Sequence, residues 1–286
     1  MPVNAMDSQK KYLRTFSFEF FPPRTPEAQL SLRETINQLA QLKPKFFSVT
    51  FGAGGSTREG TYETVKQILA LKQNAAPHIS CMGTTRPEVR ALLDAYRQLG
   101  IRHLVALRGD LPKNALQTGD FRYASDLVAF IRDATGDEFI IDVAAYPEFH
   151  PEAPCPEADI RAFVTKVKAG ANSAITQYFF NIDAYWRFVD ECEAMRVDVP
   201  IVPGIMPITN FKQLARFSDT CGAEIPRWIR KRLEGYGNDL DSIRAFGLDV
   251  TTDLCDKLLD GGAPGLHFYT LNRAGPTCTV WERLGL

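Results

Sequence analysis

The stretch FSFEFFPPRT, residues 16–25, sets Glu19 among four phenylalanines. An ionised carboxylate is costly to bury unpaired, and its usual escape is a raised pKa. Glu19 is therefore either a solvated strand residue or a carboxyl kept for proton transfer. Other residues able to do chemistry recur where apolar runs end. Thr50 and Phe51 precede the glycine-rich GAGGST that contains Ala53. His78 lies in PHISC, Arg108-Gly109-Asp110 closes HLVALRGD, and Tyr146 and His150 fall in AYPEFHPEA. Gln177 and the pair Asn272-Arg273 follow later runs. Each has a bland reading alone: a core histidine, a rim ion pair, a capping amide, an ordinary glycine turn. Asp159 and Lys166 read first as a solvated helix face. Collected at one end of successive strands, they describe a polar-lined pocket with several aromatics, which is the composition of an enzyme site.

Eight apolar runs must position these residues: 15–21, 45–53, 77–83, 103–110, 139–148, 173–180, 200–207 and 266–272. Each is short, rich in β-formers and bounded by glycine, proline or polar residues, as strands are. Helical patterns alternate with them. TPEAQLSLRETINQLAQLKP carries apolar residues at Leu32, Ile36 and Leu39 between prolines, and RPEVRALLDAYRQLG ends on Gly100. Alternating strands and helices imply a parallel sheet covered by helices. Eight units in 286 residues fit one (β/α)8 TIM barrel, with extra helices in 208–265 before the last strand. In a barrel the chemistry sits at the C-terminal strand ends, where the polar residues fall. A doubly wound open sheet is the alternative, but FFPPRTP replaces the glycine-rich turn it needs after the first strand. Residues 1–14 read as a loose N-terminal extension and 15–286 as the barrel.

Hydrophobic residues make up 45% of the chain, enough for a packed core and too many for disorder. The formal net charge is −1, so no basic field exists to hold nucleic acid or an anionic membrane. The six cysteines are scattered, without metal-site spacing, and read as reduced thiols of a reducing compartment. The N-terminus has no apolar signal core and no run approaches the roughly eighteen residues of a membrane span. These features point to a cytoplasmic protein without a metal site.

Taken in order, FEFFPPR (18–24), VTFGAGGST (49–57), PHISC (77–81), HLVALRGD (103–110), VAAYPEFHPEA (143–153), AITQYFF (174–180), PGIMPITNFKQL (203–214) and HFYTLNRA (267–274) resemble the 5,10-methylenetetrahydrofolate reductases. The chain ends soon after its last strand, so it is similar to the short bacterial type rather than to forms with a regulatory domain. The resemblance implies a TIM barrel binding FAD. It implies hydride transfer from NADH or NADPH to the flavin and then to 5,10-methylenetetrahydrofolate, giving 5-methyltetrahydrofolate for methionine synthesis. The two substrates alternate in a ping-pong cycle, and the short form favours NADH. A homo-oligomer is implied, with a tetramer among its forms.

The resemblance also assigns roles. Glu19 matches the acid that protonates N10 and opens the folate's five-membered ring, and its phenylalanine surroundings would raise its pKa by desolvation. Asp110 matches a carboxylate that stabilises the resulting iminium cation and tunes the flavin. Thr50, Phe51, Ala53, His78, Arg108, Gly109 and Asp110 match flavin-binding positions. So do Ala124, Tyr146, His150, Ala153, Asp159 and Lys166, with Lys166 suited to a pyrophosphate and Asp159 to ribose hydroxyls. Gly109 would let the backbone approach the flavin ring. Asp110, Gln177, Gln213, Phe217 and Arg273 match substrate contacts, Arg273 toward the folate's glutamate tail. Phe51 stands where a tyrosine or tryptophan is common, and Ala162 and Thr165 where related sequences carry Asn and Arg, so polar flavin contacts are fewer here. Three rivals remain: a flavin-free folate carrier, opposed by Lys166, Asp159 and His150; a flavin barrel acting on proline, opposed by the folate motifs; and a homologue without turnover, opposed by Glu19.

Overall fold

A computed structural model describes residues 7–51, 58–109 and 119–286. After α1 (Asp7–Lys10), strands and helices alternate: β1 (Thr15–Phe20), α2 (Pro26–Ala40), β2 (Phe46–Val49), α3 (Arg58–Ala70), β3 (Ala75–Ser80), α4 (Arg86–Gln98) and β4 (His103–Leu107). There follow α5 (Ala124–Thr135), β5 (Ile140–Ala145), α6 (Pro156–Lys168), β6 (Ser173–Thr176), α7 (Ile182–Ala194), β7 (Ile201–Val202) and β8 (Gly204–Ile205). Three helices, α8 (Phe211–Cys221), α9 (Arg227–Tyr236) and α10 (Leu240–Gly261), precede β9 (Gly265–Tyr269), and α11 (Gly275–Arg283) ends the chain.

Local chemistry fixes the helix ends. Thr25 caps α2 by accepting from the Ala28 N–H, and Pro26 follows at a position where its missing N–H costs nothing. At α4, Thr85 and Glu88 cap each other's backbone N–H groups reciprocally. Asp239 accepts from the Asp241 and Ser242 N–H groups at the start of α10.

The chain gathers into two compact units. One holds residues 17–144 and 162–174. Its strands pair in parallel register, Glu19 with Ser48, Ser48 with Ala76, His78 with Val105 and Val105 with Asp142. The other holds 145–161, 175–286 and the described part of 1–16. There Tyr178, Ile208, Leu214, Ile225, Ile229, Leu233 and Ile243 form a buried apolar cluster under α8, α9 and α10.

The strand order is β7-β6-β5-β4-β3-β2-β1-β9-β8. β7 and β8 are two pieces of one apolar run, so the order is cyclic, which is the connectivity of a (β/α)8 barrel. The run 200–207 reads as one strand in the sequence but breaks at Pro203, which has no N–H to give a ladder. The Pro203 carbonyl still accepts from the His267 N–H at 3.0 Å. The extra helices expected in 208–265 are α8, α9 and α10. Within the described part of 1–14, α1 carries a buried Gln9, whose side chain donates to Val199 O and accepts from the Ile201 N–H. Two polar partners on an adjacent backbone hold it, which spacing alone does not reveal. No described helix is long and apolar enough to cross a membrane.

Candidate active site

Strand alternation decides what surrounds Glu19. Phe18 and Phe20 are buried on the opposite face, where both pack against Phe47 at ring distances of 5.8 and 5.3 Å. Glu19 shares its face with Ser48 and His78. His78 Nε2 lies 3.2 Å from Glu19 Oε2, and the two side chains are 7% and 17% exposed, so this pair is largely removed from water. The Nε2 makes no hydrogen bond among the described residues. The Ser48 hydroxyl donates to the same carboxylate oxygen at 3.5 Å. The phenylalanines therefore build the layer behind the strand, while a hydroxyl and an imidazole lie against the carboxylate.

At the end of β2 the Thr50 N–H donates to Phe20 O at 2.9 Å, and Thr50 O accepts from the Thr61 hydroxyl at 2.8 Å. The backbone is thus held from both sides while the Thr50 hydroxyl is buried without a hydrogen-bond partner among the described residues. Phe51, next in the chain, is half-buried. After β4, Arg108 O accepts from the Ser80 hydroxyl and the Met82 N–H, both at 2.9 Å. Gly109 follows with φ +81°, and a Cβ there would lie 1.8 Å from Ser80 Oγ. Glycine is needed at this turn for conformation and for Ser80, beyond any ligand approach. Ala124 opens α5 and is buried. Lys166, on α6, donates to Ala144 O at 2.5 Å, so its ammonium is tied to the end of β5. Ala53 and Asp110 lie outside the described residues.

The second unit holds the remaining positions. The loop after β5 is ordered by its own polar groups: the His150 N–H donates to Asp159 at 3.1 Å, and His150 O accepts from the Ala153 N–H at 2.9 Å. Tyr146 and His150 pack edge to face at 4.7 Å. Asp159 thus braces the loop that presents His150. The Gln177 N–H donates to Ala145 O, and its amide oxygen accepts from the Tyr178 N–H at 3.0 Å. Tyr146, Glu148, Gln177, Tyr178 and Cys221 line one small cleft. Gln213 and Phe217 are four apart on α8 and therefore share a face; Phe217 leans on the apolar cluster. Arg273 stands apart from them, lining a cavity of about 360 Å³ with Pro207, Thr209 and Arg244.

The sequence pattern of the family described as methylenetetrahydrofolate reductase matches residues 4–285. The chain belongs to the methylenetetrahydrofolate reductase family. The 5,10-methylenetetrahydrofolate reductases of Salmonella typhimurium and Escherichia coli are 44% and 43% identical to it, each over 94% of this chain and 90% of the relative. An Arabidopsis thaliana relative, methylenetetrahydrofolate reductase (NADH) 1, is 36% identical over 95% of this chain and 48% of its own length. Among solved structures, an uncharacterised Clostridium thermocellum protein that binds two copies of 5-methyl-5,6,7,8-tetrahydrofolic acid superposes with a TM-score of 0.69 at 17% identity, over 99% of both chains. At that identity the likeness shows the shared fold.

For a methylenetetrahydrofolate reductase, the first unit fits a bound cofactor with polar edges. A buried hydroxyl without a partner is costly in a native protein, and Thr50 presents one beside Phe51 at the end of a strand. Ser48 and Glu148 were missed by sequence reasoning. Ser48 was legible as the lone polar residue inside FFSV, in phase with Glu19 across a parallel pair. Glu148 was not, since a glutamate between Pro147 and Phe149 reads as a solvated loop residue.

Proposed function

We propose that this chain reduces 5,10-methylenetetrahydrofolate to 5-methyltetrahydrofolate with FAD as cofactor and NADH, or NADPH, as hydride donor. The observation that carries the reading is the secluded Glu19–His78 pair on the strand face of Ser48, in a chain of this family. FAD bound at the strand ends would accept hydride from the nicotinamide and return it to the folate's one-carbon unit. Glu19 holds the proton for N10 of the folate. Its transfer opens the five-membered ring to an iminium cation, which is the species able to accept hydride. His78 stands beside the carboxyl as a partner for that proton, and Ser48 fixes one oxygen so that the other faces the substrate. Asp110 is the residue proposed to stabilise the cation.

On this reading Thr50 gives its hydroxyl to the flavin. Phe51, Arg108, Gly109, Ala124, Tyr146, His150, Ala153 and Ala53 are the further residues that would hold the flavin, with Asp159 bracing the loop of His150 and Lys166 suited to the pyrophosphate. Gln177, Gln213 and Phe217 bind folate and nicotinamide in turn, and Arg273 takes the folate's glutamate carboxylate. The enzyme would act in the cytoplasm as a homo-oligomer, tetramer among its forms, and its product would feed methionine synthesis.

The test is the visible spectrum of the purified protein under anaerobic conditions. A flavin spectrum that bleaches with NADH and returns on adding 5,10-methylenetetrahydrofolate supports the reading. A colourless protein that binds folate and stays inactive when FAD is supplied would replace it with the folate-carrier reading.

A further inference from the structure

We propose that Glu148 is a positioning residue: its carboxyl clasps the loop after β5 to the connection between α8 and α9, and so sets where α8 presents Gln213 and Phe217. The Glu224 N–H donates to Glu148 Oε2 at 2.8 Å. Glu224 stands three residues beyond the end of α8, just past Gly222, whose φ of +77° closes that helix. Glu148 Oε1 is buried and has no hydrogen-bond partner among the described residues. A solvated loop glutamate would place both oxygens in water; this one is turned inward, into the cleft it shares with Tyr146 and Gln177.

The loop is held in a costly conformation to achieve this. Phe149 has φ +71°, rare for a bulky residue. Arg187 secures it from α7, donating to Pro147 O at 3.2 Å with its guanidinium 5.3 Å over the Phe149 ring. A second tie runs parallel to the clasp, the Tyr178 hydroxyl lying 3.0 Å from the Ser218 hydroxyl on α8. The segments bearing Tyr146 and Gln177 and the helix bearing Gln213 and Phe217 are thus joined through one carboxyl and one phenol.

Burial pushes the Glu148 pKa up to about 7, against the Glu224 N–H and Arg187, which favour the carboxylate; Glu224 adds to the rise. Tyr146, Tyr178 and Cys221 are the other titratable groups in the cleft, and burial holds the Tyr178 phenol neutral. The clasp therefore changes charge near neutral pH, and the carboxylate form makes the stronger bond to the N–H.

What α8 presents rests on the proposed function; the clasp does not. The experiment compares folate KM and kcat of the wild type, Glu148→Gln and Glu148→Ala between about pH 6 and 8.5. Glu148→Ala should raise the folate KM about tenfold with kcat at saturation within about threefold. Glu148→Gln keeps an acceptor for the Glu224 N–H and should hold KM within about threefold of wild type while losing the pH dependence near 7. An unchanged KM in Glu148→Ala, a loss in kcat alone, or a glutamine variant as impaired as alanine would overturn the proposal. Glu148→Asp, with the charge but not the reach, replaces Glu148→Ala if that variant does not fold. Should the wild type show no folate reduction, the functional reading fails, and amide exchange across residues 211–226 decides the clasp. Faster exchange in the alanine variant, restored by glutamine, supports it, and equal exchange overturns it.

Discussion

Alanine at position 109 is expected to destabilise the protein by about 2–3 kcal/mol, and the structure divides that cost into two parts. Gly109 has φ +81°, where an L-residue pays about 1–2 kcal/mol for the contact between its Cβ and the backbone. The added Cβ also lands 1.8 Å from Ser80 Oγ, so the hydroxyl must turn away and lose its 2.9 Å bond to Arg108 O, worth about 1 kcal/mol. Ser80→Ala alone forfeits that bond and should cost about 1 kcal/mol. In the double variant the 1.8 Å overlap is gone, a tight 3.0 Å contact with the Cβ of residue 80 remains, and the bond is lost once, so its cost should fall short of the sum by up to about 1 kcal/mol. Urea unfolding of the four proteins measures the cycle. Additive costs, or a Gly109→Ala variant within about 0.5 kcal/mol of wild type, would refute the steric argument.

Three further outcomes follow from the same geometry. Thr50→Val removes a hydroxyl with no hydrogen-bond partner among the described residues, so the protein without cofactor should lose less than about 0.5 kcal/mol of stability while FAD affinity, read by flavin fluorescence, falls about tenfold. Arg273→Ala should raise the folate KM about tenfold and leave flavin reduction by NADH within about twofold, as steady-state and rapid-mixing assays would show. The raised pKa of Glu148 means that the folded protein holds this proton more tightly than the unfolded chain does. Its contribution to stability is therefore full below the ordinary glutamate range and is lost as pH rises through about 7, and thermal unfolding of Glu148→Gln across that range should lack this part of the decline.

The alternation of elements was readable because strand runs are bounded by punctuating residues and several helices by caps, as at Thr25 and Thr85. Pro203 was visible in the sequence, yet its effect depends on whether its missing N–H falls at a ladder position, which only pairing decides. The surroundings of Glu19 depend on pairing for a related reason. Neighbours in sequence lie on opposite faces of a strand, so Phe18 and Phe20 point to Phe47, and Ser48 and His78, which lie against Glu19, come from the next two strands. Gly109 was singled out for the approach of a ligand, whereas its conflict with Ser80 links two loops far apart in sequence. Glu148 was hidden altogether, because its burial depends on the backbone of Glu224.

The most direct measurement is anaerobic rapid mixing of Glu19→Gln in the two half-reactions. The account predicts that flavin reduction by NADH stays within a few-fold of wild type, while reoxidation by 5,10-methylenetetrahydrofolate slows by at least about a hundredfold, the range expected on losing a general acid. Equal slowing of both halves, or full activity in the second, would contradict the assignment of Glu19 as the proton donor to the folate.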